Sequence, residues 1–96
     1  MTRIEIEKNK ITINGHAGYG PEGQDIVCSA ISILTYTLIG ALEDADIDYY
    51  EDIRPGHAHI EAFPDNKNFE KSEIIFEVIT KGLQILCENF AEFVQM

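Results

Sequence analysis

The chain has 96 residues, 45% of them hydrophobic, and carries 17 acidic against 7 basic side chains, for a formal net charge of −10. This size predicts a single domain over residues 1–96, and the acidic balance opposes direct binding to nucleic acid, because few cations are available to displace phosphate counterions. Two cysteines are too few for a disulfide scaffold, and the N-terminal residues lack the apolar segment of a secretion signal. We therefore expect a cytoplasmic protein.

The first half of the chain divides into two strands, a loop and a helix. Alternating apolar and polar residues predict short antiparallel strands over Arg3–Glu7 and Ile11–His16, joined by a tight turn. The segment Ala17–Gln24 contains three glycines and a proline and predicts a loop. A helix is predicted from Asp25 to about Ala45, apolar nearly all round and therefore covered on more than one side. Its serines, threonines and tyrosine favour a buried helix of a soluble domain, so no membrane contact is expected.

The second half repeats this order. Strands are predicted over Asp46–Ile53 and His57–Phe63, on either side of the turn signal Arg54-Pro55-Gly56. A second helix is predicted from Phe69 to Val94. The element order ββαββα predicts an α+β fold in which a small antiparallel or mixed sheet packs with two helices.

The apolar residues of the second predicted helix cover more than one face. One stripe recurs at steps of three and four residues, namely Ile75, Ile79, Leu83, Leu86, Phe90 and Phe93. Further apolar positions widen it, namely Ile74, Val78, Ile85 and Val94. A helix this wide predicts a homodimer that buries part of Val78, Ile85 or Phe93.

Three residues near the start of the first predicted helix have the chemistry of a thiol peptidase. Cys28 falls in the first turn, where the helix dipole and unpaired backbone N–H groups favour the thiolate. The same N–H groups offer hydrogen bonds to an oxyanion. His16 can take the thiol proton and later protonate a leaving amine, if the loop folds back towards the helix. Asp25 can cap the helix, orient His16, or do both.

These residue types also have plainer interpretations. A single cysteine in an apolar helix is most often a small buried side chain, which is the interpretation that we favour for Cys87. A single histidine at a strand end is most often a surface residue. His57 and His59 share one strand face without a third ligand, which is weak support for a metal site. The glycine spacing fits neither a dinucleotide-binding loop nor a P-loop. We therefore predict no metal and no cofactor.

The motif around Cys28 resembles that of the ribosomal-processing cysteine proteases of the Prp family. The resemblance rests on Gly15, His16, Ala17, Gly20, Gly23, Asp25, Ile26, Val27, Cys28, Ala30 and Ser32. The chain length, the element order and the acidic second half extend it over the whole chain. One departure is Ser29, which stands where an alanine usually follows the cysteine.

This resemblance implies a small cytosolic bacterial cysteine endopeptidase that acts as a homodimer. Such an enzyme removes a short N-terminal extension from the precursor of a large-subunit ribosomal protein. By position, His16 matches the catalytic histidine and Cys28 the nucleophile, and Asp25 matches the acidic residue of the same motif. An acidic enzyme would attract a basic ribosomal protein electrostatically.

The glycine loop corresponds in this resemblance to a mobile segment that covers the substrate. The residues of this substrate loop are Gly18, Tyr19, Gly20 and Gly23. Because Tyr19 is its only aromatic side chain, we expect few contacts to hold the loop, and we expect it to be poorly ordered until a peptide binds.

A hypothesis from a different class is a non-enzymatic dimeric adaptor. Its acidic surface would bind a basic ribosomal or assembly partner. An adaptor needs no activated Cys28, so the reactivity of that thiol separates the two hypotheses.

Overall fold

In the computed structural model, which describes residues 1–96, two helices cover one face of a five-stranded sheet. The elements in chain order are β1 (Thr2–Glu7), β2 (Lys10–Asn14), α1 (Ile26–Asp44), β3 (Asp48–Arg54), β4 (His57–Phe63), α2 (Phe69–Asn89) and β5 (Val94–Gln95). The α+β class and the ββαββα order are confirmed, and a short C-terminal strand is added to them.

The sheet joins the two halves of the chain through its central strands. The strand order is β3-β4-β2-β1-β5. All pairs are antiparallel except β1 with β5, which is parallel, so the sheet is mixed. Because side chains alternate across each strand, Ile4, Ile13 and Ile60 point to the covered face, where all three are buried. The opposite face carries polar and charged side chains.

The second helix ends at Asn89, so the predicted end at Val94 is wrong. The backbone of Phe90 leaves the helical region at φ −133°, and a turn then brings the chain back to the edge of β1. There the N–H of Thr2 donates to the carbonyl of Phe93 at 2.9 Å, and Val94 pairs with Thr2. A strand of two residues exists here because the edge of β1 supplies its hydrogen bonds.

The first helix ends in a Schellman motif, although the acidic residues of its last turn oppose the helix dipole. Asp46 adopts a left-handed conformation with φ 56°. The N–H of Asp46 donates to the carbonyl of Glu43 at 3.1 Å, and that of Ile47 donates to the carbonyl of Leu42 at 3.0 Å. Ile47 and Leu42 are both buried in the hydrophobic core at the turn into β3.

By length and composition alone, α1 resembles a membrane-spanning segment, with a mean hydropathy of 1.8. In the structure, however, its Leu38 and Leu42 are fully buried in the core. The helix also lies close to α2, since a Cβ added at Gly82 would come within 2.8 Å of Leu34. As expected, α1 is covered on more than one side, by the sheet and by α2, while Ile33 on its outer side is 63% exposed. Packing on the sheet and on α2 accounts for most of its apolar character.

Candidate active site

His16 lies two residues beyond the end of β2, at a sharp bend of the chain. Gly15 makes the bend with φ +93°, a conformation that favours glycine, and a Cβ at this position would collide with the carbonyl oxygen of Met1. The N–H of Gly15 donates to the carbonyl of Gly56 at 2.8 Å. This bond ties the residue before His16 to the turn between β3 and β4.

The imidazole of His16 lies directly over Gly56. A Cβ added to Gly56 would come within 2.9 Å of Nε2 of His16, and Gly56 also has φ +72°. Any larger residue at this turn would therefore displace the ring and strain the backbone. No protein group hydrogen-bonds the His16 ring, whose side chain is exposed.

Cys28 is the third residue of α1 and lies in its first turn, as predicted. Its side chain is half-buried and is not part of a disulfide. Two adjoining open cavities of about 310 and 660 Å³, together called the groove below, are both lined by Cys28 and His16. No hydrogen bond joins the two side chains, but the thiol and the imidazole border the same space.

Asp25 is buried and caps α1. Its Oδ1 accepts hydrogen bonds from the N–H groups of Val27 and Cys28, at 2.9 and 3.0 Å. Its Oδ2 accepts from the N–H groups of Tyr19 and Gly20, at 2.9 and 3.2 Å. These bonds, led by that from Cys28, hold the pKa of the Asp25 carboxyl below its ordinary value. One side chain thus ties the loop to the helix start.

This arrangement decides between two sequence-based expectations for Asp25. Capping is confirmed, whereas no hydrogen bond links Asp25 to His16. The same bonds correct the idea that the first N–H groups of the helix are free for an oxyanion. Those of Val27 and Cys28 already donate to the Asp25 carboxylate.

The glycine loop has more contacts than its sequence suggested. The ring of Tyr19 packs edge-on against Phe90 and Phe93, with centroid distances of 5.4 and 5.2 Å. By contrast, an added Cβ at Gly18 or Gly23 would meet nothing within 4 Å. The loop is therefore held at Tyr19 and by Asp25, while Gly18 and Gly23 border open space. Gly18, Gly20 and Gly23 all line the larger cavity.

Sequence reasoning assigned no site role to several residues of the groove. Ser32 and Tyr36 follow Cys28 at steps of four, so all three lie on one face of α1, and each lines both cavities. Polar residues at this spacing in an otherwise apolar helix are a signal that could have found them. Pro55 and Gly56 belong to the turn opposite, and only the fold brings that turn to the groove.

Of the remaining candidate residues, His57 borders the smaller cavity of the groove, whereas His59 and Cys87 line neither cavity. His57 and His59 are on the uncovered face of the sheet, where His57 Nδ1 lies 2.7 Å from Asn14 Oδ1 and His59 Nδ1 lies 2.8 Å from Thr12 Oγ1. No group of three or more metal-ligating side chains comes together anywhere in the chain. Cys87 packs against the core, and burial raises the pKa of its thiol.

Comparison with known proteins identifies relatives along the whole chain. Residues 1–95 match the sequence model of the family described as cysteine protease Prp. The ribosomal processing cysteine protease Prp of Staphylococcus aureus (strain NCTC 8325 / PS 47) is 29% identical over 107 residues, which cover 100% of this chain and 97% of that protein.

Two solved structures share the fold. A crystal structure of the ribosomal processing protease Prp from S. aureus, in complex with a covalently linked product peptide, superposes with a TM-score of 0.82 at 22% identity, and covers 97% of this chain and 92% of that one. SMU.848 from Streptococcus mutans superposes with a TM-score of 0.73 at 35% identity, and covers 99% and 91% of the two chains.

Proposed function

Because the chain belongs to the cysteine protease Prp family and is therefore a cysteine peptidase, we propose that Cys28 is its nucleophile and His16 its general base. The observation that carries this assignment is that the two side chains line both cavities of one groove. Cys87, the other thiol of the chain, lines neither cavity. Membership of a peptidase family also argues against the non-enzymatic adaptor.

The proposed reaction proceeds through an acyl-enzyme. His16 takes the proton of Cys28, and the thiolate attacks the carbonyl carbon of the scissile peptide bond. The C–N bond then breaks, and the imidazolium of His16 returns its proton to the leaving amine. A water molecule, deprotonated by His16, attacks the thioester and releases the new carboxyl end together with the restored thiol. Glycine at position 56 leaves room for the imidazole during these transfers.

The proposed substrate is the N-terminal extension of a large-subunit ribosomal protein precursor. Relatives of this chain are named ribosomal processing proteases, and ribosomal proteins are basic. The net charge of −10 would attract such a precursor and speed its capture at low ionic strength. This reaction belongs in the cytoplasm, where ribosomal proteins are made.

We also propose that the enzyme acts as a homodimer through α2. Ile74, Val78 and Ile85 are 59%, 65% and 51% exposed, which leaves an apolar stripe on the outer face of this helix. Phe93, the third residue predicted for this interface, is half-buried and packs against Tyr19 of its own chain, so it is less available to a partner. Sedimentation of wild type and Val78→Glu at micromolar concentration tests the proposal. A wild type that sediments only as a 10.8 kDa species would contradict it.

A cleavage assay tests the dyad and the substrate together. The peptide spans the junction between extension and mature ribosomal protein from the same genome, and wild type is compared with Cys28→Ala and His16→Ala. We expect cleavage at one bond by wild type, none by Cys28→Ala, and a loss of about 10²-fold to 10⁴-fold for His16→Ala. Turnover by Cys28→Ala would refute the nucleophile assignment, and His59→Ala, whose side chain lines neither cavity, serves as the histidine control.

A further inference from the structure

β3 has the longest unpaired edge of any strand in the sheet. It pairs with β4 over all seven of its residues, and no strand lies on its other side. At the opposite edge, β5 pairs only with Thr2 and Arg3, which leaves the shorter stretch Ile4–Glu7 of β1 without a strand on that side. An exposed edge of this length presents a row of free backbone groups to which an extended peptide can pair.

The register shows which backbone groups of β3 face outwards. The N–H of Ala62, a residue of β4, donates to the carbonyl of Asn9 on the side opposite β3, at 2.8 Å. The even-numbered residues of β4 therefore point their backbone groups away from β3. Because backbone directions alternate along an antiparallel pair, the partners of these residues point outwards from β3. They are Tyr49, Glu51 and Ile53.

The charge of this edge selects its partner. β3 contains Asp48, Glu51 and Asp52, and its one cation, Arg54, is paired with Asp52 at 3.1 Å. A second copy of the chain would bring the same acidic strand against this edge and be repelled. A basic strand would be attracted. The phenol of Tyr49 reports the negative surroundings, since a hydrogen bond to Glu43 and the charges nearby raise its pKa to about 12.

The edge also runs into the groove. Ile53 and Arg54 at the end of β3, and Pro55 directly after it, line the cavity that Cys28 and His16 also line. A peptide paired with β3 would therefore continue directly into the groove that contains the thiol of Cys28. At about 3.4 Å per residue, β3 is roughly 20 Å long from Asp48 to Arg54. Side chains of the bound peptide about six residues from its scissile bond would therefore lie beside Asp48, at the end of the strand far from the groove.

We propose that the β3 edge binds a basic, extended segment of the peptide substrate as a sixth strand of the sheet, which continues into the groove. This inference rests on the proposed function for the identity of that segment as part of a substrate. The backbone of Tyr49, Glu51 and Ile53 supplies the hydrogen bonds, and the carboxylates of β3 select lysine and arginine. Such pairing gives affinity through the main chain and specificity through charge.

Amide hydrogen exchange by NMR tests the edge directly. The protein is Cys28→Ala, which removes the nucleophile, and the probe is a capped peptide of alternating threonine and lysine about eight residues long. We expect exchange at Tyr49, Glu51 and Ile53 to slow by about tenfold or more, while Tyr50 and Asp52 change little because they already bond to β4. A peptide of alternating threonine and glutamate should have no effect.

Two variants at position 51 separate backbone from charge. Glu51→Pro removes an outward N–H, which an edge strand tolerates, and should weaken binding of the lysine peptide by about fivefold. Glu51→Gln keeps the N–H but removes the charge, and it should weaken binding of the lysine peptide by about twofold. This difference in binding should disappear at high salt. Glu77→Gln on α2 makes the same change in net charge away from the edge and should bind like the parent.

Three results would overturn the proposal. The first is unchanged hydrogen exchange at the amides of Tyr49, Glu51 and Ile53 when the lysine peptide is added, and the second is equal slowing of that exchange by the glutamate peptide. The third is slowing that occurs without peptide and increases with protein concentration, which would show that a second copy of the chain pairs with this edge. The peptidase assignment can fail independently. Wild type that binds the lysine peptide but cleaves no junction peptide contradicts the function alone, whereas wild type that cleaves it without edge protection contradicts the edge alone.

Discussion

The two cysteines of this chain lie at opposite ends of two helices, and the comparison shows what makes a thiol useful. Both are half-buried and free, so exposure does not distinguish them. Cys28 is in the first turn of α1, at the positive end of the dipole, and borders the groove with His16. Cys87 is in the last turn of α2, where the dipole is negative. Burial and the neighbouring Glu88 raise its pKa.

Replacing each cysteine in turn should have the largest effect on activity. Cys28→Ser should reduce cleavage of the junction peptide by about 10³-fold or more, since a hydroxyl without further activation is a poor nucleophile. Cys87→Ser should retain most of the activity, with a small loss of stability from placing a hydroxyl against the core. Initial rates and melting temperatures of both variants measure this difference. Equal losses of activity would break the comparison.

Crowding the ring of His16 should impair the proposed general base of Cys28 without changing the thiol itself. Gly56→Ala places a Cβ within 2.9 Å of the His16 ring and strains a backbone at φ +72°. We expect kcat to fall by about tenfold to a hundredfold. Gly40→Ala, where a Cβ meets nothing within 4 Å, is the control and should stabilise α1 slightly. Unchanged kcat in Gly56→Ala would show that the ring position over this turn does not matter.

Alkylation compares the two thiols in one molecule. With iodoacetamide near neutral pH, Cys28 should react about tenfold faster than Cys87, because the raised pKa of Cys87 leaves less thiolate. Mass spectrometry of timed samples gives both rates, and His16→Ala should slow Cys28 alone. If Cys28 and Cys87 were alkylated at equal rates in wild type and also in His16→Ala, Cys28 would be an unactivated thiol.

Asp25 gives the smallest expected effect, which depends on pH. Its pKa is lowered by folding, so its contribution to stability is complete above the ordinary value of 3.8 and is lost as pH falls through the folded value. Asp25→Asn lacks this charge, and its single amide oxygen cannot accept hydrogen bonds from the N–H groups of both the loop and the helix start. Its melting temperature should lie below that of wild type at neutral pH and approach it in acid. A constant difference across the range would show that the carboxylate is not held ionised.

Local pattern in the sequence was sufficient for most elements and for part of the site. Alternation of apolar and polar residues predicted four strands, and the uncharged run predicted α1. Because Cys28 lies near the start of that run, the sequence also placed it in the first turn of the helix, close to the capping residue Asp25. These features depend on residues close to one another in the chain, so propensity and periodicity describe them well. The motif around Cys28 also identified the family.

Features that depend on distant contacts were decided only by the tertiary structure. The two residues of β5 form a strand because the edge of β1 is there to pair with, and α2 ends early for the same reason. Tyr19 holds the loop because a turn more than seventy residues away brings Phe90 and Phe93 beneath it. Gly56 must lack a side chain because the bend at Gly15 lays His16 over it. A side chain's neighbours across the sheet leave no periodic trace in the sequence, whereas its neighbours along a helix or strand do.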